Sequence, residues 1–568
     1  IRDCLLSRGL GDVYKRQYKQ LKQAVDEGKT PVLAVGLSAI HKAHLAAALG
    51  LDTGRPVLVL TDDDNAANRF AADLRGFSAR DIVQLPSREL VMADVVGGSR
   101  GYEQRRLAAL DELTEAHFAV ASVQAAAQRT MPPEALKAAI VSLATGETAP
   151  LDELAQSLTR AGYERCVQVE GTGQFSIRGG ILDVFPPQAE HPYRVEFWDD
   201  EIDSISTFDV GSQRRLEQCE CLRCLPCMES IPALAKGGAA GLAKAVLALT
   251  STRRKKQHPD LQANLERDAE RLRETGSLPA ADKYMPLIYP EMATAFDYLP
   301  ENAIVLIEDT PRLRDAVRDF HARVADDVTA LLERGEMPPN LGEYALDFVG
   351  VCSMKRQILR LDSFLNNVAE LTPQHLENFI ANQMNAYGGN LDMASADIRS
   401  YTEQGRAVAV VCGSALRCQN MLDALTDTGL NVKISDLLPK GGCVNIMEGT
   451  LSAGFEYPDL GLVVMTEGQV LARRKKTQVK KSNRDKVKSY TDLTPGDLVV
   501  HEHHGIGRFI GMERMTVDGS ERDFIKIAFA GTDFLYVPAT SLDLISKYIG
   551  GGDNERVRLN KLGGADWS

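Results

Sequence analysis

A multidomain α/β protein with an all-β C-terminal end is the fold class this sequence predicts, and three observations carry the prediction. From Pro31 onward, short apolar strands alternate with segments of helical spacing, the pattern of a parallel sheet wrapped by helices. A stretch of period-two alternation, residues 173–209, interrupts that text. Beyond residue 491 the strands are short and punctuated by Gly505, Gly507, Gly511, Gly519 and Gly531, as in a small SH3-like barrel. At 568 residues the chain is too long for one core, and about three to five domains follow.

Composition narrows the class. Hydrophobic residues at 44% and charged residues at 25% are the balance of a globular protein. No apolar run approaches a membrane span and no signal peptide is recognised, so no membrane partner is expected. A formal charge of −13 argues against a surface devoted to coating nucleic acid, so any DNA contact needs a local patch. Ten cysteines suit a reducing cytoplasm better than a disulfide framework, and a cytoplasmic location is expected.

The elements follow in order. Residues 1–17 match nothing downstream and read as a non-native leader outside the fold. In 18–150, strands at 32–35, 57–60 and 118–122 alternate with helices at 39–49 and 65–74, and 100–116 reads as an exposed helix rich in Glu and Arg. Residues 151–228 form an inserted domain. Within it Phe175 and Ile177 fall on one side of a strand and Ser176 and Arg178 on the other, before a turn at Gly179-Gly180. Tyr193, Val195 and Phe197 then share one face, while Arg194, Glu196 and Trp198 share the opposite one. Asp199-Asp200-Glu201 supplies a polar reversal before residues 202–208. Arg and Trp are the residue types of binding hot spots; a solvated face with one stray aromatic is the plain alternative.

Cys219, Cys221, Cys224 and Cys227 crowd together and raise a metal site. Four ligands in nine residues lack the loop that lets two pairs face one metal, so small side chains along a strand are the favoured reading. Residues 229–350 complete the first α/β domain and make it discontinuous, with a charged helix at 261–275 and a core strand at 304–309. A small α/β domain spans 351–472, with strands at 407–412, 451–455 and 462–465 and a helix at 414–428. The basic run 473–490 reads as a solvated linker, with contact to DNA phosphates as the functional option. Residues 491–550 hold strands at 497–501, 508–512, 524–529 and 534–537, and 551–568 trail as a linker. His501, His503 and His504 find no cysteine or carboxylate spaced to finish a metal site.

The first strand–loop–helix junction is informative for what it lacks. A phosphate loop, G-x4-G-K-[ST], needs glycines that expose backbone N–H groups, a lysine for the phosphates and a hydroxyl for magnesium. The spacing survives here from Gly36 to Ala43, but His41 replaces the second glycine and Ala43 the hydroxyl, while Lys42 is kept. An imidazole and a Cβ crowd the cradle and the metal loses its ligand, so no ATP hydrolysis is expected at this loop.

Two strings carry a family resemblance. RGGILDVFP followed by YRVEFWDDEIDSI resembles the module shared by the excision-repair helicase UvrB and the transcription-repair coupling factor Mfd. VVHEHHGIGRFIG, with DFLYVPATSLDLISKY after it, resembles the RNA-polymerase-interacting domain of Mfd and of CarD-type regulators. The lost loop favours Mfd, because UvrB keeps a working one. The resemblance implies a discontinuous, degenerate P-loop-type (RecA-like) domain, an inserted UvrA-binding α+β domain, a small α/β domain and a Tudor/CarD-type barrel. Residues 559–568 resemble the linker into the Mfd motor, whose helicase motifs are absent here.

By the same resemblance, the family works in transcription-coupled nucleotide excision repair. It binds RNA polymerase stalled at a lesion, displaces it by ATP-driven translocation on double-stranded DNA, and recruits UvrA. ATP and magnesium would serve the absent motor, and this chain would hold no cofactor. Arg178 and Arg194 match two arginines used toward UvrA, and Trp198 stands where the family often has phenylalanine. The polymerase β-subunit contact would lie on the strand holding Val499, Val500, His501 and Glu502, where the charge of Glu502 suits an interface rim. The alternatives are a UvrB-like, ATP-dependent, damage-verifying helicase and a CarD-type transcription regulator.

Overall fold

The computed structural model describes residues 12–93, 100–249, 258–339, 341–384, 386–435, 442–471, 484–486, 496–501, 505–517, 520–530, 534–538 and 545–548. The chain divides into two compact units, residues 1–472 and 473–568.

The first unit is built on a seven-stranded, all-parallel sheet. Helix α1 (Asp12–Asp26) precedes β1 (Val32–Val35), α2 (Ala39–Thr53), β2 (Val57–Thr61), α3 (Asp64–Phe77) and β3 (Ile82–Leu85). Then come α4 (Gly101–Leu113) and β4 (Phe118–Ser122), and after a long insertion β13 (Ile304–Glu308), β14 (Gln357–Asp362) and β15 (His375–Asn378). Strand order is β15-β1-β14-β13-β2-β4-β3. Successive residues serve opposite faces: Leu58, Leu60, Ala119 and Ala121 enter one core, Val57, Val59, Phe118 and Val120 the other. Both faces are covered, as parallel sheets require.

Three expectations need correction here. Residues 12–17 continue helix α1, and Gln17 donates a side-chain hydrogen bond to the Asn378 carbonyl (2.7 Å), so the leader reaches into the fold. The first sheet runs on to Asn378, past the boundary drawn at residue 350. Helix α4 is clasped, with Glu103, Gln104 and Arg106 buried. The buried Glu103 and Arg106 join an internal network: Glu103 accepts from the Glu229 N–H (2.7 Å), Arg106 pairs with Glu229 (3.2 Å), and Arg88 bonds Glu229 (2.7 Å) and Asp282 (2.6 Å).

Inside the insertion, β5 (Val141–Ala144) pairs with β12 (Cys221–Cys224), closing the base of a module that begins ten residues before position 151. Its main sheet runs β11-β10-β9-β8-β7-β6, made of β6 (Glu164–Arg165), β7 (Gln174–Arg178), β8 (Ile181–Val184), β9 (Tyr193–Trp198), β10 (Glu201–Phe208) and β11 (Arg215–Cys219). Phe175, Leu182, Val195 and Ile205 form its inner face, with Leu154 and Leu158 of the helix Leu151–Arg160 in the same core.

A second α/β sheet closes this unit, with order β16-β20-β21-β17-β19-β18. Its strands are β16 (Asn382–Gln383), β17 (Ala407–Cys412), β18 (Val432–Ile434), β19 (Val444–Glu448), β20 (Phe455–Tyr457) and β21 (Leu462–Thr466). Residues 451–454, expected as strand, form a loop against α3. There Asp73 accepts from the Ser452 N–H (2.8 Å) and hydroxyl (2.7 Å).

The second unit is one sheet ordered β22-β27-β23-β24-β25-β26. Its strands are β22 (Arg484–Lys486), β23 (Leu498–His501), β24 (Gly505–Val517), β25 (Ser520–Ala528), β26 (Phe534–Pro538) and β27 (Ile545–Tyr548). Its pairings are antiparallel, and no pairing joins β22 to β26 among the described residues. Of the basic run, Arg484–Lys486 is strand, and its remainder lies outside the described residues.

Candidate docking faces and a closed nucleotide loop

The period-two pattern of 173–209 becomes geometry in the inserted sheet. Gly179-Gly180 and Asp199-Asp200 are two-residue turns, with φ of 61° at Gly179 and 57° at Asp199. The register places Ser176, Asp183, Arg194 and Ser206 in one cross-strand row and Arg178, Ile181, Glu196 and Ser204 in the next. These rows face away from the apolar core, as the alternation required.

The three residues singled out from sequence are on this face but differ in availability. Trp198 ends β9 with 82% of its surface exposed. Arg178 has a side chain 51% exposed and donates one bond to Asp183 (2.8 Å). Arg194 is 15% exposed. It forks onto Asp183 through Nε (2.7 Å) and Nη2 (2.9 Å), reaches Gln213 Oε1 (3.1 Å), and stacks over Phe208 at 4.5 Å. Beside them Glu196 pairs with Arg215, and that hydrogen bond holds its carboxyl below the usual range. Sequence reading missed Asp183, Phe208 and Gln213; the LDV string gave no sign that its aspartate faces two arginines.

Of the four cysteines Cys221 is exposed, while Cys224 and Cys227 are buried in the core of the inserted sheet with Cys219 packed against it. Burial pushes the Cys224 thiol up to about 12 and Cys227 higher still. Among the described residues, no group of three or more His, Cys, Asp or Glu is arranged to hold a metal.

At the degenerate loop, Gly36 follows β1 with φ of 85°, and a Cβ there would lie 2.1 Å from the Phe379 carbonyl oxygen. Helix α2 begins three residues later, so the cradle is short. His41 is fully buried, shares a hydrogen bond with Ser38 (2.7 Å), and packs edge-on to Phe455 (5.4 Å) and Tyr457 (4.8 Å) of β20. Burial and the neighbouring His44 depress its pKa to about 4. Buried Lys42 lies 3.8 Å from Glu308 at the end of β13, and Ala43 is fully buried. The second sheet thus occupies the ground above the loop.

In the second unit, Val499 and Val500 are 0% and 2% exposed, and Val499 sits in a core with Phe509, Ile525 and Ile527. Strand β23 is paired on both edges, to β24 and β27, with His501 opposite Gly505 and Ile545. Against the expectation for Val499 and Val500, both side chains are buried in this sheet and neither lies on its open surface. Glu502, with His503 and His504, lies outside the described residues. Ile510 and Phe534 are 42% and 47% exposed on β24 and β26.

Comparison with known proteins agrees with this division. Residues 141–229 match the family "UvrB interaction domain", and residues 493–549 match "CarD-like/TRCF RID domain". The fold and its two modules define a multidomain α/β protein that joins a UvrB-type interaction sheet to a CarD-like one. The chain is similar to the transcription-repair-coupling factor of Bacillus subtilis, 31% identical over 97% of this chain and 48% of that protein. The Staphylococcus epidermidis (27%) and Staphylococcus aureus USA300 (26%) factors cover 96% and 97% of it, at 47% and 48% of their own lengths. Over the stretch it spans, the chain is therefore similar to transcription-repair-coupling factors, as the two strings implied. It spans about half the length of these curated relatives.

Proposed function

We propose that this chain is a docking scaffold of transcription-coupled nucleotide excision repair. In this reading the 173–209 sheet captures UvrA and the second unit engages the β subunit of RNA polymerase. The observation that carries it is the outward face within the UvrB interaction domain, where Trp198 stands 82% exposed beside half-open Arg178. An exposed indole costs solvation and offers a partner a large, rigid anchor. ATP-driven translocation on DNA belongs, in this proposal, to sequence that the relatives carry outside the matched stretch. The short cradle, buried His41 and Glu308-tethered Lys42 support a loop that binds no nucleotide.

The test is a two-bait capture. Trp198→Ala should reduce UvrA retention at least about 30-fold, the scale of a hot-spot residue, and leave RNA polymerase retention unchanged. Loss of both, or of neither, overturns the proposal. An ATP-dependent thermal shift that disappears in Lys42→Ala would favour the UvrB-like helicase instead.

A further inference from the structure

We propose that Asp183 is a positioning residue for partner docking: it holds Arg178 at the surface, while Arg194 serves as its internal counter-charge. The inference rests on the reading of this face as a docking site and says how the face is set.

Asp183 is 1% exposed on β8, so its carboxylate relies on protein donors. It has three: Arg194 Nε (2.7 Å), Arg194 Nη2 (2.9 Å) and Arg178 Nη2 (2.8 Å). Arg194 spends its fork on that carboxylate, bonds Gln213, covers Phe208, and keeps a side chain only 15% exposed. Little of it is left for a partner. Arg178 spends one N–H on Asp183, and its half-exposed side chain keeps donors toward solvent.

Two guanidiniums against one carboxylate leave one net positive charge, and Arg178 alone delivers it to the surface. The chemistry that fits is a carboxylate on the partner, paired bidentately with Arg178. Arg178 and Glu196 lie in one row across β8, and Trp198 stands two residues further along β9. Two strand spacings across and two residues along, about 12 Å between backbones, thus separate the charge from the indole, close enough for one partner surface to meet both. Without Asp183 the two guanidiniums repel each other and Arg178 loses its tether.

A double-mutant cycle on UvrA binding to the full chain tests this. Arg178→Gln and Asp183→Asn should each weaken binding about 10-fold or more. The double variant should stay within about twofold of Arg178→Gln alone, because Asp183 acts through Arg178. Arg194→Lys keeps the charge but loses the fork, and it should couple to Arg178 in the same way. Added salt should weaken the intact chain more than Arg178→Gln, which has lost the exposed charge. A merely structural Asp183 would multiply the losses, and that result overturns the proposal, as does unchanged binding by Arg178→Gln. If Asp183→Asn does not fold, the Arg194→Lys cycle decides by the same criterion. Failure of the intact chain to bind UvrA, or full binding by Trp198→Ala, overturns the docking reading and this inference with it.

Discussion

His41 shows how one side chain fills the space above a loop. Where a phosphate loop needs a bare backbone, this residue brings an imidazole that packs on Phe455 and Tyr457 and is fully buried. Its pKa of about 4 against the usual 6.5 means the folded state refuses a proton that the unfolded chain accepts between those values. The stability secured by the neutral ring is complete above pH 6.5 and is lost as pH falls toward 4, by about 3 kcal/mol. Denaturation of wild type and His41→Gln across that range should show the wild type losing about that much more. Trp198 is the opposite case. At 82% exposure its truncation should change unfolding stability by less than about 0.5 kcal/mol, which equilibrium denaturation can check alongside the capture assay.

At the scale of elements, α3 owes its packing to a residue that helix propensity disfavours. Gly76 lies within this helix, where replacing glycine by alanine ordinarily stabilises by about 1 kcal/mol. Here a Cβ would lie 2.6 Å from both the Thr450 carbonyl oxygen and Leu451 Cδ2, in the loop leading to β20. Gly76→Ala should therefore destabilise, by about 1–3 kcal/mol, reversing the usual sign. Urea denaturation measures it. The adjoining Asp73–Ser452 bonds and the aromatic group around His41 tie the same helix pair to the second sheet. The strands of the inserted sheet were legible because one face is apolar and the other polar, and that alternation appears directly in the residues. Helix α4 was misread as exposed because Glu103 and Arg106 look like surface residues until Arg88 and Glu229 arrive from distant sequence.

The whole molecule divides at residue 472, and the two units should unfold in separate calorimetric transitions. Gly76→Ala should move only the transition of residues 1–472, and a shift of both would contradict the division. The sequence by itself determined the α/β class, the alternation that aims Arg178, Arg194 and Trp198 outward, and the crowded loop at His41. Each of these depends on local periodicity or on residue types at fixed spacing. Only the tertiary structure decided that Arg194 is spent on Asp183, that Val499 and Val500 are core, and that β20 packs over His41 of the first strand–loop–helix junction. Those outcomes depend on pairings across long sequence separations, such as His41 with Tyr457, where burial and charge are settled by which strands become neighbours.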